Sequence, residues 1–336
     1  MVTLGAHGDH TRQSRRMIGE MHRLDTLAVV LQRPEQLTLD RLPLCEPGDE
    51  DVVVDMAFTG ISTGTEKLLW SGRMPPFPGM GYPLVPGYES VGRITRAGVR
   101  AARKVGEHVF VPGARCFGEV RGLFGGAAAK VVVPGARTTP IDARLGEQAV
   151  LLALAATAHH ALCADDAAEP DLIVGHGVLG RLLARLAVLA GGEPPTVWER
   201  NPQRAQGASG YAVMHPDSDQ RRNYRAIYDV SGDANLLDTL IARLAPGGQI
   251  TLAGFYGEPL SFQFAPAFMR EARIRIAAEW REPDLTAAKE LVESGRLSLD
   301  GLITHRSHAV DAPAAYRTAF TDSTCLKMIL DWRELP

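Results

Sequence analysis

The sequence predicts a two-domain α/β protein in which a β-rich domain precedes a doubly wound parallel sheet. Three observations lead to this prediction. At 336 residues, the chain is too long for one compact core. Short apolar runs between Gly and Pro turns, typical of strands, continue to about residue 140. From about residue 147, strands alternate with helices, which is the pattern of a parallel sheet covered on both faces.

The individual elements follow from local pattern. Strands of the first domain are predicted over residues 27–31, 51–57, 90–94, 108–111 and 128–133. An apolar helix over residues 149–162 opens the second domain. Its strands are predicted over residues 172–174, 196–198, 212–214, 226–230, 249–253 and 273–277. From about residue 283 the pattern indicates helix, short strand and helix, and we expect this segment to return to the first domain.

The domain division follows from these elements. Residues 1–20 have no periodicity and lack the apolar core of a signal peptide, so we expect a flexible tail. We assign residues 21–146 to the β-rich domain, 147–282 to the parallel-sheet domain and 283–336 to the returning segment.

The composition is that of an ordinary globular protein. Hydrophobic residues make up 45% of the chain and charged residues 22%, and the net charge is −3, so nothing attracts the chain to nucleic acid. The apolar runs are too short to span a bilayer. The four cysteines lie far apart in sequence, which favours a reducing cytoplasm. Weak association with a membrane surface and homo-oligomer formation stay open.

A glycine turn after the first strand of the parallel sheet is the clearest motif. Gly175, Gly177 and Gly180 have G-x-G-x-x-G spacing, and an amphipathic helix begins at Val178 and Leu179. The first glycine permits a tight turn, the second lets the backbone approach a pyrophosphate, and the third lets the helix pack on the strand. The motif predicts a Rossmann fold that binds a nicotinamide dinucleotide. The alternative is a doubly wound sheet that binds another ligand.

Residues at the ends of the next strands are further candidates for cofactor binding. Glu199 ends the second strand, where a carboxylate binds the ribose 2′-hydroxyl and repels a 2′-phosphate. This position favours NAD, whereas the neighbouring Arg200 argues for NADP because a guanidinium can hold that phosphate. Ser231 and Gly254 follow two further strands at the edge of the sheet where ligands bind.

Long strings in both domains carry a resemblance to a known family. They are GISTGTEKL at 60–68, WSGRMPPFPGMGYP at 70–83, VPGA at 111–114, RGLFG at 121–125 and FMREAR at 268–273. From about residue 24 to residue 332 the chain resembles the medium-chain dehydrogenase/reductase superfamily, and the strings resemble its branch in bacteriochlorophyll biosynthesis.

The resemblance implies a GroES-like catalytic domain and NAD-dependent oxidation of the C3 1-hydroxyethyl group of a bacteriochlorophyllide precursor to an acetyl group. Two other functions stay open. One is a zinc-free quinone or enone reductase, which generally prefers NADPH. The other is a non-catalytic protein that binds NAD or the pigment.

Within this resemblance, the positions of the zinc ligands hold other residues. Ser62 stands where zinc-dependent relatives have a cysteine, and Tyr88 stands where they have a histidine. The third region, residues 155–159, contains no cysteine. A catalytic zinc needs three protein ligands, so we expect no zinc. The alternative ligand set is Glu66, Glu89 and His159.

Without a metal, alcohol oxidation needs a group that takes the hydroxyl proton. The resemblance places Tyr88 at the reacting oxygen, and its ordinary pKa of about 10 favours a relay over a free phenolate. Ser62 and Thr63 would link it to solvent through the ribose. His159 or His160 is the second candidate, because a neutral imidazole is a competent base. The alternatives are a tyrosine that packs under its loop and a histidine pair held in the core.

The stretch over residues 68–86 is apolar, with Arg73 as its one charged residue. An apolar loop of this kind suits the wall of a cleft for a flat tetrapyrrole. The candidate substrate residues are Trp70, Arg73, Phe77, Met80 and Phe124. Arg73 or Arg121 would pair with a propionate carboxylate. The alternative is ordinary core packing beneath a loop stiffened by proline.

Overall fold

The computed structural model describes residues 24–76 and 78–335. The tail predicted at residues 1–20 lies outside this part of the chain. The strands of the described part are β1 (Asp25–Arg33), β2 (Gln36–Pro43), β3 (Asp51–Ile61), β4 (Leu84–Val85), β5 (Ser90–Ala97), β6 (His108–Val111), β7 (Arg121–Gly122), β8 (Lys130–Pro134), β9 (Thr139–Pro140), β10 (Leu172–Val174), β11 (Thr196–Trp198), β12 (Ala212–Met214), β13 (Tyr224–Asp229), β14 (Leu244–Leu252), β15 (Arg273–Ile276), β16 (His305–His308) and β17 (Met328–Asp331). The α-helices are α1 (Thr65–Ser71), α2 (Leu152–Cys163), α3 (Val178–Leu189), α4 (Leu237–Arg243), α5 (Phe264–Met269), α6 (Glu282–Glu293) and α7 (Ala312–Thr321).

Two sheets build the first domain. One has the strand order β2-β1-β4-β7, and the other has the order β16-β17-β3-β5-β6-β9 with β8 paired to β3. Strand β3 is the centre of the second sheet because it pairs antiparallel with β5, β8 and β17. Val53, Val109 and Val131 are buried in the core of this domain. Branched side chains of this kind pack well on a pleated surface, which is why these runs form strands.

Six parallel strands form the sheet of the second domain, in the order β12-β11-β10-β13-β14-β15. The order reverses between β10 and β13, so the loops after these strands diverge and leave a crevice at the carboxyl edge. Leu172, Ile173 and Ile227 are fully buried, as expected for strands covered on both faces. This architecture confirms the predicted α/β fold, a doubly wound parallel sheet with a β-rich domain.

Several predicted strands have the observed bounds. Strand β3 and the helix that opens the second domain differ from the prediction in their bounds. The predictions over residues 108–111, 172–174, 196–198 and 212–214 coincide with β6, β10, β11 and β12. Strand β3 continues to Ile61 because β17 pairs with its last four residues. The helix predicted from residue 149 becomes α-helical only at Leu152, because a 3₁₀ segment, Ala143–Leu151, precedes it.

The end of the chain returns to the first domain, where Met328 of β17 lies opposite Ile61 of β3. Helix α6 opens the segment that the sequence assigned to the return, and its Glu293 accepts a hydrogen bond from the backbone N–H of Asp142 in the first domain at 2.8 Å. It packs on α2, and its Leu285 and Ala288 lie in the core of the second domain. The pairing of β17 with β3 makes the return, and the residue boundaries of the domains stay predictions.

The first domain packs against the loops at the carboxyl edge of the parallel sheet. A Cβ on Gly257, after β14, would lie 2.9 Å from a methyl carbon of Leu68. The ring of Trp280, after β15, lies 6.3 Å from the ring of Tyr88. Arg204, after β11, donates through Nε to the carbonyl oxygen of Ser323 at 2.6 Å. The predicted cofactor edge and the predicted catalytic residues therefore lie on facing surfaces.

Candidate active site

The glycine turn has the geometry that a dinucleotide needs. Gly175 has a φ of +106°, a conformation that favours glycine. A Cβ on Gly180 would lie 1.9 Å from the carbonyl oxygen of Gly175, so only glycine lets α3 pack against the turn. A Cβ on Gly177 would meet no atom of the described chain within 4 Å. The backbone at Gly177 therefore faces open space at the start of α3, where a pyrophosphate can approach.

Glu199 lies directly against this turn. Its Oε2 accepts a hydrogen bond from the backbone N–H of His176 at 3.2 Å, and its Oε1 accepts one from Asn201 at 2.8 Å. The two bonds fix the carboxylate beside the glycines, while the neighbouring Arg200 is exposed. A fixed negative charge at the end of β11 is the feature expected at the ribose of NAD.

The other predicted cofactor residues also meet at this edge. A Cβ on Gly175 would lie 3.4 Å from the backbone nitrogen of Ser231. A Cβ on Gly254 would lie 3.4 Å from the backbone of Gly232, the residue after Ser231. Val178 and Leu179 pack their side chains into the core, leaving their backbone at the turn. The loops after β10, β13 and β14 therefore form one continuous surface.

A buried cluster of hydrogen-bonded side chains lies behind the turn, and the sequence pattern did not predict it. The Nδ1 of His176 donates to the carbonyl oxygen of Arg204 at 2.6 Å, and its Nε2 accepts from the hydroxyl of Tyr211 at 2.8 Å. Burial lowers the pKa of His176 to about 4, so the ring is neutral at physiological pH. Arg181 donates to the carbonyl oxygens of His176, Arg204 and Gln206. These bonds hold the loop after β11 beside the glycine turn.

The hydroxyl groups of Ser62 and Tyr88 lie 2.8 Å apart. Ser62 follows β3 and Tyr88 precedes β5, and the pairing of these two strands brings both residues to one end of the sheet. Burial and the nearby charge of Glu89 raise the pKa of Tyr88, so its phenol is protonated at neutral pH. The ring of Phe124 meets the ring of Tyr88 edge-on at 5.3 Å. Half-buried Thr63 follows Ser62 in the same turn.

A buried carboxylate lies next to this pair. Glu66 Oε1 accepts a hydrogen bond from the backbone N–H of Ser62 at 3.1 Å, and Oε2 accepts one from the hydroxyl of Tyr316 at 2.7 Å. Burial raises the pKa of Glu66 to about 7, although both hydrogen bonds oppose this shift. Glu66 therefore titrates close to neutral pH.

Lys327 and Glu89 form an ion pair inside the protein. The Nζ of Lys327 lies 2.5 Å from Glu89 Oε2 and donates to the carbonyl oxygen of Ile61 at 3.2 Å. Lys327 is 1% exposed and Glu89 is 0% exposed. Sequence reasoning missed Lys327, although the signal was present. A lysine inside the apolar run CLKMIL implies a buried partner, because a lone buried charge is costly.

The three residues of the alternative zinc ligand set each have other partners. Glu66 and Glu89 are bound as described above, and His159 Nδ1 is 3.0 Å from Asp284 Oδ1. Within residues 24–76 and 78–335, no three His, Cys, Asp or Glu side chains are placed to hold a metal. The alternative ligand set of Glu66, Glu89 and His159 is therefore not brought together.

The two candidate histidines share one carboxylate. His160 Nδ1 is 2.9 Å from Asp284 Oδ2, the oxygen that His159 does not contact. Asp284 lies in the first turn of α6. In the part of the chain that the structure describes, neither imidazole bonds to Ser62 or Tyr88. The role of His159 as a base stays a prediction.

The candidate substrate residues separate into two groups, one near the contact between the domains and one packed within the first domain. In the first group, the ring of Phe124 meets that of Tyr88, and the carbonyl oxygen of exposed Arg73 would lie 3.5 Å from a Cβ added to Gly257. Met80 packs on the apolar cluster of Leu31, Leu69, Leu84 and Leu123.

Trp70 is turned toward the C-terminal helix, where its ring lies 5.5 Å from that of Phe320. Arg121 Nη1 donates weakly to the carbonyl oxygen of Tyr82 at 3.5 Å. Phe77 lies outside the described residues. Trp280, which faces Tyr88 from the second domain, had no recognisable signal in the sequence.

Comparison with known proteins shows the family. The alcohol dehydrogenase GroES-like domain matches residues 48–143. The 2-desacetyl-2-hydroxyethyl bacteriochlorophyllide A dehydrogenase of Rhodobacter capsulatus is 57% identical over 93% of this chain and 99% of its own length. The protein of the same name from Cereibacter sphaeroides is 56% identical over 92% of this chain and 98% of its own length. The chain belongs to the family of these dehydrogenases.

The fold of the whole chain matches solved dehydrogenases. The crystal structure of L-idonate 5-dehydrogenase from Escherichia coli has a TM-score of 0.80 at 16% identity, covering 92% of this chain and 99% of that one. This likeness confirms the Rossmann and GroES-like architecture that the sequence predicted. The GroES-like domain match and the relatives of 57% and 56% identity show that the chain is a dehydrogenase of the medium-chain dehydrogenase/reductase superfamily. Dehydrogenases of this superfamily bind NAD(P), and solved structures that match the fold of this chain include one complexed with NADH and one bound to NADP. No helix in the described ranges is both long enough and apolar enough to cross a membrane.

Proposed function

We propose that this dehydrogenase oxidises the C3 1-hydroxyethyl group of a bacteriochlorophyllide precursor to an acetyl group, with NAD as the hydride acceptor and without zinc. The observation that carries the proposal is the 57% identity, over 93% of the chain, to a protein named for this substrate. The identity spans both domains, so it covers the loops that face the substrate as well as the glycine turn. We also propose a cytoplasmic location.

The charge at the glycine turn favours NAD over NADP. The carboxylate of Glu199 is held beside the turn by two backbone N–H groups, ready to accept a hydrogen bond from a ribose 2′-hydroxyl. The same carboxylate would repel a 2′-phosphate. Gly175, Gly177 and Gly180 would hold the pyrophosphate, with Ser231 and Gly254 beside it. When bound, the nicotinamide ring supplies the acceptor for the hydride.

The residues at the reacting oxygen suit a proton relay. We propose that Tyr88 accepts the hydroxyl proton of the substrate while it donates its own proton to Ser62 Oγ, 2.8 Å away, and that Ser62 releases its own hydroxyl proton toward solvent in the same step. The raised pKa of Tyr88 keeps the phenol protonated between turnovers, which a relay requires and a phenolate base does not. Half-buried Thr63, which follows Ser62 in the chain, is proposed as the next step of this path toward solvent.

The structure of the substrate reduces the need for a metal ion. The carbinol carbon adjoins a macrocyclic π system, so positive charge that develops as the hydride leaves spreads into the ring. Less electrostatic stabilisation is then required at the oxygen. Loss of activity with a chelator, followed by recovery with zinc, would contradict this part of the proposal.

An apolar wall and one cation are proposed to bind the pigment. Phe124 beside Tyr88 and the segment after α1 that carries Met80 would contact the flat ring. Trp70, in contrast, lies in α1 and faces Phe320. Arg73 is exposed at the contact between the domains and is the proposed partner of the propionate carboxylate.

One assay tests the proposal. The purified protein is incubated with 3-(1-hydroxyethyl) bacteriochlorophyllide and either NAD or NADP, and the absorbance of the pigment is followed. We expect NAD-dependent formation of the acetyl pigment. Reduction of an enone or quinone with NADPH would indicate a reductase instead, and binding without turnover would indicate a carrier. Either of these results would overturn the proposal.

A further inference from the structure

We propose that Lys327 is a positioning residue that holds the Ser62–Tyr88 pair together across the two loops that carry it. This inference rests on the proposed function, because it concerns the proton relay of that reaction. Lys327 itself makes no hydrogen bond to either hydroxyl in the described part of the chain, so its effect passes through its neighbours.

The contacts of Lys327 lie one residue away from each member of the pair. The carbonyl oxygen of Ile61, which accepts from Nζ at 3.2 Å, immediately precedes Ser62. The carboxylate of Glu89, 2.5 Å from Nζ, immediately follows Tyr88. One ammonium group therefore connects the end of β3 to the start of β5 at the place where the two hydroxyls meet.

The surroundings of Glu89 show that Lys327 is what fixes its side chain. Among the residues that the structure describes, Glu89 Oε1 has no hydrogen-bond partner. A Cβ on Gly60 would lie 2.4 Å from Glu89 Oε2. The carboxylate therefore occupies a slot that exists because residue 60 is a glycine. A free carboxylate in this slot would be buried without a countercharge, which is strongly unfavourable.

The position of Lys327 depends on the return of the chain. Strand β17 pairs with β3 so that Met328 lies opposite Ile61, which places Lys327 beside the same turn. An apolar residue would complete a buried strand equally well, and ion pairs of this kind are often no more stabilising than apolar replacements. The free energy of unfolding therefore does not require a charge at this position, whereas the geometry of the relay does.

Two variants separate positioning from stability. Lys327→Met removes the ammonium and leaves Glu89 unpaired, so we expect a lower Tm as well as a lower kcat. The double variant Lys327→Met/Glu89→Gln removes both charges, so the Tm should recover while kcat for pigment oxidation stays lower by about 10²-fold, the effect of a small misplacement of reacting groups. KM for NAD should be unchanged in both variants. Arg333→Met, which removes an exposed ion pair with Asp331 after the same strand, is the matched control and should keep the wild-type kcat.

A crystal structure of the double variant supplies a result that does not depend on the substrate. We expect the hydroxyls of Ser62 and Tyr88 to move beyond hydrogen-bonding distance. A double variant that keeps the contact, or that recovers the wild-type kcat along with its Tm, would overturn the proposal. If the wild-type protein does not oxidise the pigment, the proposed function fails, and the distance between the two hydroxyls still decides the role of Lys327.

Discussion

Burial changes the chemistry of individual residues at this site. In water, the side-chain pKa is about 10 for tyrosine and about 4 for glutamate. Here burial raises the pKa of Tyr88 and raises that of Glu66 to about 7. Tyr88 thus behaves as a neutral donor and acceptor, whereas Glu66 changes charge near neutral pH.

Replacement of Tyr88 by phenylalanine tests the relay. Tyr88→Phe should lower kcat by about 10²-fold, at the lower end of what a positioned proton-transfer group supplies. KM for NAD should not change, because the hydroxyl faces Ser62 rather than the glycine turn. Steady-state kinetics measure both values. The control is Tyr224→Phe, which removes a buried hydroxyl bonded to Asp219 in the second domain. A wild-type kcat in Tyr88→Phe would rule out this relay.

The shifted pKa of Glu66 predicts a pH dependence of stability. Its pKa is about 7 in the folded protein against 4.5 for a free side chain. Because the folded value is the higher one, the stability from protonated Glu66 is complete below pH 4.5 and is lost as the pH rises through about 7. The shift corresponds to about 3 kcal/mol.

Glu66→Gln should therefore remove most of the fall in Tm between about pH 5 and about pH 8. Thermal unfolding of both proteins across this range is the measurement. Glu193→Gln changes an exposed glutamate and is the control. Parallel Tm curves for the wild type and Glu66→Gln would show that Glu66 is ionised throughout.

At the scale of one element, the glycines of the turn after β10 have different physical roles. Gly180 lies against the carbonyl oxygen of Gly175, so it serves the packing of α3 on its strand. Gly177 faces open space, so it serves an approaching ligand. Both roles arise within six residues of chain, from Gly175 to Gly180, which is why the motif could be recognised in the sequence.

Two alanine variants separate these roles. Gly177→Ala should leave the Tm unchanged and weaken NAD binding by about tenfold or more, because its methyl group enters the space for the pyrophosphate. Gly180→Ala should lower the Tm, because its methyl group would lie 1.9 Å from a backbone oxygen. Thermal unfolding and fluorescence titration with NADH measure the two effects. Unchanged affinity in Gly177→Ala would place the cofactor elsewhere.

At the scale of the whole molecule, the loop after β11 connects the glycine turn to the C-terminal segment that pairs with the first domain. Arg204 accepts a hydrogen bond from His176 through its carbonyl oxygen and donates through its side chain to the carbonyl oxygen of Ser323. A second bond reaches the carbonyl oxygen of Cys325 at 3.4 Å. The segment that carries Lys327 is therefore tied to the loop beside the glycine turn.

Arg204→Met should loosen this connection. We expect weaker NAD binding, by several-fold, and faster amide hydrogen exchange around residues 322–326, because the bonds to two carbonyl oxygens are lost. Calorimetric titration and exchange measured by mass spectrometry provide the two readouts. Arg296→Met, at an exposed arginine after α6, should change neither. Exchange rates around residues 322–326 equal to those of the wild type would show that the hydrogen bonds of Arg204 do not stabilise this segment.

The sequence by itself determined the elements and motifs whose causes are local. Short apolar runs between Gly and Pro turns predicted the strands, and the spacing of Gly175, Gly177 and Gly180 predicted the Rossmann turn, because each depends on neighbours a few residues away. The resemblance of long strings in both domains supplied the family. It also indicated Tyr88 as the residue at the reacting oxygen, with Ser62 as its link toward solvent.

Only the tertiary structure decided what surrounds those residues. The partners of Ser62, Glu66 and Glu89 are separated from them by 26, 250 and 238 positions in the chain. Burial, which shifts the pKa of Tyr88 and Glu66, is likewise a sum over distant segments. No local pattern encodes such contacts, since they form only when β17 returns to β3 and the first domain closes over the edge of the parallel sheet.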